Sequence, residues 1–98
     1  MISPIEFHEA AFAELDAAFD WYFVRSARVA AAFLDEIERA LSLISRSPQT
    51  WPFYHRDTRK FILKRFPFLV IYREKAAMIQ IVAIAHGRRR PHYWKTRL

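Results

Sequence analysis

Residues 59–94 read RKFILKRFPFLVIYREKAAMIQIVAIAHGRRRPHYW, and three strand-like runs inside them decide the fold. Residues 59–66 alternate, with Phe61 and Leu63 on one face and Lys60, Ile62 and Lys64 on the other, the period-two pattern of a half-buried strand. Phe66-Pro67 marks a turn, Phe68–Arg73 a second strand, Glu74–Ala77 a hairpin turn and Met78–Ala85 a third strand. The third is nearly all apolar, as a central strand covered on both faces would be. Connections this short oblige the strands to run antiparallel.

Upstream the period changes. In residues 9–25, Phe12, Leu15, Phe19 and Tyr22 recur at spacings of three and four, with Ala11 and Ala18 beside them, which predicts an amphipathic helix. Residues 28–46 predict a second, its stripe made by Val29, Ala30, Phe33, Ile37, Ala40, Leu41 and Ile44. Ser47-Pro48 ends it, because the residue before proline disfavours the helical region. The brief break between the helices implies an antiparallel helical hairpin. Ile2–Phe7 reads as a short edge strand, where Pro4 is tolerated. The expected fold is α+β in the order β-α-α-β-β-β, two helices on a small, mostly antiparallel sheet, one domain over residues 1–98. Phe33, Ile37, Leu41, Phe61, Val70, Ile81 and Val82 are the expected core. The second face, carrying Lys60, Lys64 and Arg73, is expected to stay partly open as a groove.

Composition bounds the function. The chain has no Cys, which excludes disulfides and thiolate metal sites. No uncharged apolar run approaches the ~20 residues that span a bilayer, and Ile2–Glu6 lacks the basic and apolar segments of a leader. A cytoplasmic protein without a membrane partner is the expectation. Net charge is +6, unevenly spread. Residues 1–38 hold eight acids against Arg25 and Arg28; residues 39–98 hold fourteen Lys and Arg against Asp57 and Glu74. A basic C-terminal surface attracts nucleic acid, an anionic membrane or an acidic protein.

Candidate chemistry gathers around the same strands. His86 at a strand end, followed by Gly87-Arg88-Arg89-Arg90, suits proton transfer beside a phosphate-stabilising guanidinium, and equally suits capping or packing. Tyr93 and Trp94 have the character to stack on bases or to anchor the tail on the core. Arg65 and Arg73 suit phosphate or carboxylate recognition, or structural ion pairs. Trp51, Phe53 and Tyr54 in the loop 48–57 are expected to fold back on the core. Phosphate-binding glycine loops, HExxH and nucleophile elbows are absent from the sequence. His8, His55, His86 and His92 lack metal-ligand spacing with acids, so neither a metal nor a cofactor is expected.

Taken in order, Asp20-Trp21-Tyr22, Phe33-Leu34, Ser47-Pro48, Trp51-Pro52, Arg65-Phe66-Pro67-Phe68, Ile71-Tyr72-Arg73, Ala85-His86-Gly87-Arg88-Arg89 and Trp94 resemble the RelE/ParE superfamily of type II toxin–antitoxin toxins over nearly the whole chain. The resemblance implies a toxin neutralised by a small acidic antitoxin in a hetero-oligomer. It also implies one of two targets. RelE-like members cut mRNA on the ribosome with basic residues and a Tyr or His around the sheet; ParE-like members trap DNA gyrase on cleaved DNA. RelE-like proteins often carry Gly-Tyr-Arg where this chain has Pro67-Phe68-Leu69. Loss of that Arg would forfeit about 10²–10³ in rate. The Phe-Pro-aromatic turn resembles the ParE-like, plasmid-stabilisation branch. The implied target-binding residues are Arg65, Arg73, His86, Arg88, Arg89 and Trp94. For a ribonuclease the catalytic candidates are Lys60, Lys64, Arg65, His86 and Tyr93. A gyrase-directed toxin is not an enzyme in its own right, an mRNA endonuclease is, and a toxin-derived binding module without lethal activity is the third possibility.

Overall fold

The computed structural model describes residues 2–98. Its elements are β1 (Ile5–Phe7), α1 (Glu9–Phe23), α2 (Ala27–Arg46), β2 (Arg59–Ile62), β3 (Phe68–Lys75), β4 (Met78–His86) and a 3₁₀ turn at Lys95–Arg97. The sheet order is β1-β4-β3-β2. β1 runs parallel to β4, while β2–β3 and β3–β4 are antiparallel. The expected α+β order and the central place of β4 both hold. Among the described residues no helix is long and apolar enough to cross a membrane.

Local chemistry sets the helix starts. His8 Nδ1 accepts from the Ala10 N–H at 3.0 Å, and the Ser26 hydroxyl accepts from the Val29 N–H at 3.2 Å, each satisfying a donor that the first helical turn leaves unpaired. α2 buries Ala30, Phe33, Ile37, Ala40 and Ile44, as its stripe predicts, with Leu41 half-buried, but Val29 of that stripe is exposed. α1 contacts the sheet through Ala11 and Ala18, with Leu15 and Tyr22 packed beside them. Several of its large residues are pushed outward: Phe12 is 55% exposed, Trp21 54% and Phe23 54%. Phe12 therefore leaves the stripe its spacing predicts, because the two alanines bring the helix too close to β4 for a ring between them.

β4 carries the structural irregularity that matters most. Tyr72 pairs with Ile81 but Ile71 pairs with Ala83, so Val82 is an extra residue on β4, a β-bulge. The bulge sets two consecutive side chains, Val82 and Ala83, toward one face. Ile79, Ile81 and Ile84 join the helix-side core with Phe33 and Tyr72; Ile71, Val82, Ala83 and Ala85 form a second cluster with Trp94.

That second cluster overturns the expectation of a partly open groove. Four apolar sheet residues would otherwise face water, and the tail folds back over them. Trp94 is 2% exposed, and Tyr54, Leu69, Tyr93 and Leu98 pack around it. Leu69, the aliphatic residue at the position discussed above, is part of this cover. The implied target-binding role of Trp94 is corrected accordingly: its ring anchors the tail on the core, the other reading its sequence offered.

Two other departures have local causes. β2 stops at Ile62 and not at residue 66, because the N–H groups of Lys64 and Arg65 bind the Glu36 carboxylate at 2.6 and 3.2 Å and leave the ladder. The β3–β4 turn narrows to Ala76-Ala77, with φ of 51° and 62°, the left-handed geometry that two-residue hairpins require. Alanine there is strained by about 1–2 kcal/mol per residue.

Two outcomes follow. Trp94→Ala should lower stability by about 3–5 kcal/mol in urea unfolding, where a rim residue would shift it little. Ala77→Gly should raise stability by roughly 0.5–1 kcal/mol, after the extra backbone entropy of glycine is subtracted.

Candidate functional site

The bulge at Val82 turns the Ile84 N–H and the Val82 carbonyl away from β3, at a level where β1 has already ended. Side chains fill the place of the missing strand. Glu14 on α1 accepts the Ile84 N–H at 3.0 Å, the Tyr93 hydroxyl at 2.6 Å and two guanidinium N–H groups of Arg97 at 2.9 Å each. Arg97 also donates to the Val82 carbonyl at 3.0 Å. Arg89 stands 3.5 Å from the same carboxylate, its guanidinium 3.6 Å from the Tyr93 ring centroid. Burial pushes the Glu14 pKa up, but the hydrogen bonds from Arg97, Tyr93 and Ile84, with the Arg97 charge, outweigh it and hold the group below its ordinary value. Burial and then Glu14 push the Tyr93 phenol far above its usual range. It is a fixed neutral donor, not an acid–base group.

Next to this network a cleft of about 480 Å³ opens between α1 and the far end of the sheet. Ala17, Ala18, Trp21, Tyr22, Pro67, Phe68 and Ile84 form its apolar walls, and His86 and Arg89 stand at its rim. The His86 ring meets Phe68 edge-on at 5.1 Å, and its Nδ1 accepts the Arg88 N–H at 3.1 Å, so the neutral imidazole carries its proton on Nε2. A second groove of about 390 Å³ lies between α2 and β2, lined by Leu43, Ala40, Phe61 and Ile62 with Arg39, Lys64, Arg65 and Glu36 at its edges. Arg65 donates to Glu36 at 3.1 Å. Burial raises the Glu36 pKa, but the Arg65 and Lys64 hydrogen bonds outweigh it and lower it overall.

The sequence-based site residues do not meet at one point. Lys60 lies over the Tyr54 ring on the second face, 4.4 Å from its centroid. Lys64 and Arg65 border the α2 groove; His86 borders the α1 cleft and also lines, with Arg89, Tyr93 and Tyr54, a small pocket behind the sheet; Tyr93 is bound to Glu14. Arg73 is at the opposite end of β3 from His86, since His86 pairs with Phe68 whereas Arg73 pairs with Gln80. There it donates to Gln80 at 2.9 Å and lies 3.9 Å from Asp57. His86, Arg88 and Arg89 do share one end of the sheet. Among the described residues no group of three His, Cys, Asp or Glu could hold a metal ion. Glu14 is the residue that sequence reasoning missed. It falls between Ala11, Leu15 and Ala18 on the buried stripe, and a carboxylate in that register needs a cationic partner.

Comparison with known proteins agrees with this architecture. A family model described as the ParE toxin of type II toxin–antitoxin system, parDE, matches residues 5–91. The chain belongs to the ParE toxin family. Its structure resembles a chain from the chromosomal ParDE TA system of P. aeruginosa, with a TM-score of 0.68 and 25% identity, covering 87% of this chain and 96% of that one. No curated protein matches the sequence.

The Glu14 cluster gives a pH test. The unfolded carboxyl titrates near 4.5 and the folded one below it, so its stabilisation is present above 4.5 and is lost as pH falls through the folded value. Glu14→Gln should lower stability near neutral pH by about 3 kcal/mol and flatten the acid limb of a melting-temperature profile. An unchanged acid limb would assign the acid sensitivity elsewhere.

Proposed function

We propose that this ParE-family toxin of a type II toxin–antitoxin system arrests growth by acting on DNA gyrase, and that a small acidic antitoxin neutralises it. Family membership over residues 5–91 carries the reading. The geometry supports it in two ways. Of the five residues suited to ribonuclease chemistry, Lys64 and Arg65 border the α2 groove, apart from His86 and Tyr93, and the Tyr93 hydroxyl is engaged with Glu14, whereas mRNA cleavage needs its acid, base and phosphate clamp around one scissile bond. The helical hairpin also exposes Phe12, Trp21, Phe23, Val24, Val29, Leu34 and Leu43, more apolar surface than a lone small domain ordinarily leaves wet.

Both grooves beside that hairpin combine apolar walls with charged rims, Arg89 next to Glu14 in one and Arg39, Lys64 and Arg65 beside Asp35 and Glu36 in the other. An amphipathic acidic segment that folds on binding fits them: apolar side chains on the walls, carboxylates on the rims. The attraction then comes chiefly from Arg39 and Lys64, which form no ion pair among the described residues, and not from the whole C-terminal half, since the hairpin itself is acidic. The complex is a toxin–antitoxin hetero-oligomer.

Purified protein should inhibit gyrase supercoiling or accumulate cleaved DNA with gyrase, and should leave mRNA on ribosomes intact. Arg89→Ala should weaken antitoxin binding by about tenfold or more through loss of a charge-assisted contact. His86→Gln should retain most gyrase activity, because the amide keeps much of the shape. Ribosome-dependent mRNA cleavage that falls about 10²–10⁴ with His86→Gln would replace this reading with the endonuclease.

A further inference from the structure

The surface behind the sheet has a character unlike the hairpin's. Its outer layer is the loop at Tyr54–Asp57, the segment Arg90–Lys95 and the exposed side of β2. His55 and His92 stack there at 4.5 Å between ring centroids and 26° between planes, with Tyr54 and Trp94 beside them. Cations surround this ring cluster. Lys60 caps Tyr54, Arg90 borders the same pocket as Tyr54 and His92, and Arg56 and Lys95 are close enough to His55 to depress its pKa, after desolvation and His92. None of Arg56, Lys60, Arg90 or Lys95 forms an ion pair among the described residues, while Arg65, Arg73, Arg89 and Arg97 all do. The nearby carboxylate, Asp57, faces Arg73.

Two further observations set this surface apart. Apart from the Ala76-Ala77 turn, the non-glycine residues with positive φ are Arg56 at 55° and His92 at 63°, and both belong to this surface. Such backbone strain survives where the surrounding structure imposes it, and it concentrates at functional sites. The His55 Nε2 is also buried without a hydrogen-bond partner among the described residues. The fold therefore gathers like charges, and a ring nitrogen with no acceptor or donor, on one face.

We infer that this face, built by Arg56, Lys60, Arg90 and Lys95 around the His55–His92 stack, binds the phosphate backbone of duplex DNA. The inference deepens the gyrase reading: a toxin seated on a DNA-bound enzyme would hold the DNA as well as the protein. Its chemistry selects the ligand class. Isolated, unpaired cations match the regular charge of a phosphate backbone, which binds without reading sequence. Single strands need free ring faces for stacking, but here the rings stack on one another or under Lys60, and the pocket among them is about 50 Å³, too small for a base. A protein partner needs central apolar anchors, and seven of the ten large exposed apolar residues are on the helical hairpin, while Phe53 lies under Arg59 and Ile62 is at the β2 edge.

The test is fluorescence anisotropy with a labelled 20-base-pair duplex, and with single-stranded DNA and RNA of equal length, without gyrase. The duplex should bind with no sequence preference, and log K should fall with log salt with a slope of about −3 to −4 for four phosphate contacts. The double substitution Arg90→Glu/Lys95→Glu should reduce affinity by about tenfold or more and make that slope shallower by about 2. These side chains are exposed, so an unchanged melting temperature is expected and confirms that the fold is intact. Arg28→Glu on the hairpin should leave DNA binding unchanged. Absence of duplex binding at 50 mM salt, insensitivity to the double substitution, or a clear preference for single-stranded RNA would each overturn the inference. Gyrase inhibition is measured separately. DNA binding without any effect on gyrase sinks the target assignment and leaves the surface standing; gyrase inhibition by a protein that binds no duplex DNA does the reverse.

Discussion

One carboxylate holds the two halves of this fold together. Glu14 is on the first helix, and the groups it binds are on the last strand and the tail. The β-bulge at Val82 creates the need: it turns backbone groups toward a position where the parallel edge strand has ended. A buried N–H without a partner costs about 1–3 kcal/mol, and Glu14 with Arg97 satisfies both orphaned groups. Tyr93 and Arg97 are thereby drawn against α1, and Trp94 between them in sequence is carried onto the apolar sheet face. Cover for the second face, the shape of the α1 cleft and the position of Arg89 all depend on this one cluster.

The same cluster sorts the charges. Arg89 and Arg97, which read in sequence as part of a continuous basic tail, are neutralised by Glu14; Arg65 is neutralised by Glu36. What is left is a division of labour. The hairpin side has apolar surface with a few cations at its groove edges, while the back of the sheet has unpaired cations. A formal charge of +6 describes neither surface.

Much of the architecture was legible because it rests on local periodicity. Phe33, Ile37 and Ile44 recur at helical spacing, and Phe61 and Leu63 alternate, so the helix and strand faces could be read directly. The site was less legible because it depends on contacts distant in sequence. Trp94 reads as an exposed aromatic until the apolar back face of β3 and β4 is seen to need a cover. The bulge at Val82 has no signature, since Ile81, Val82, Ala83 and Ile84 are apolar whichever face each takes. Phe12 fits the helical stripe by spacing yet is exposed, because Ala11 and Ala18 set the distance between helix and sheet. Glu14 did leave a trace, as an acid inside an apolar stripe, but its partner lies 83 positions away.

That separation has a consequence for the newborn chain. During synthesis Glu14 emerges from the ribosome long before Arg97, and until then α1 carries an unneutralised acid on the side it must later bury. The helical hairpin and the β3–β4 ribbon have short-range contacts and can form as they emerge; the clasp cannot. Closure is therefore a late, entropically demanding step, of the kind that slows folding. A growing chain exposes its hairpin surface before its back face exists, so a protein that recognises the hairpin meets its binding site earlier than the finished toxin meets its target.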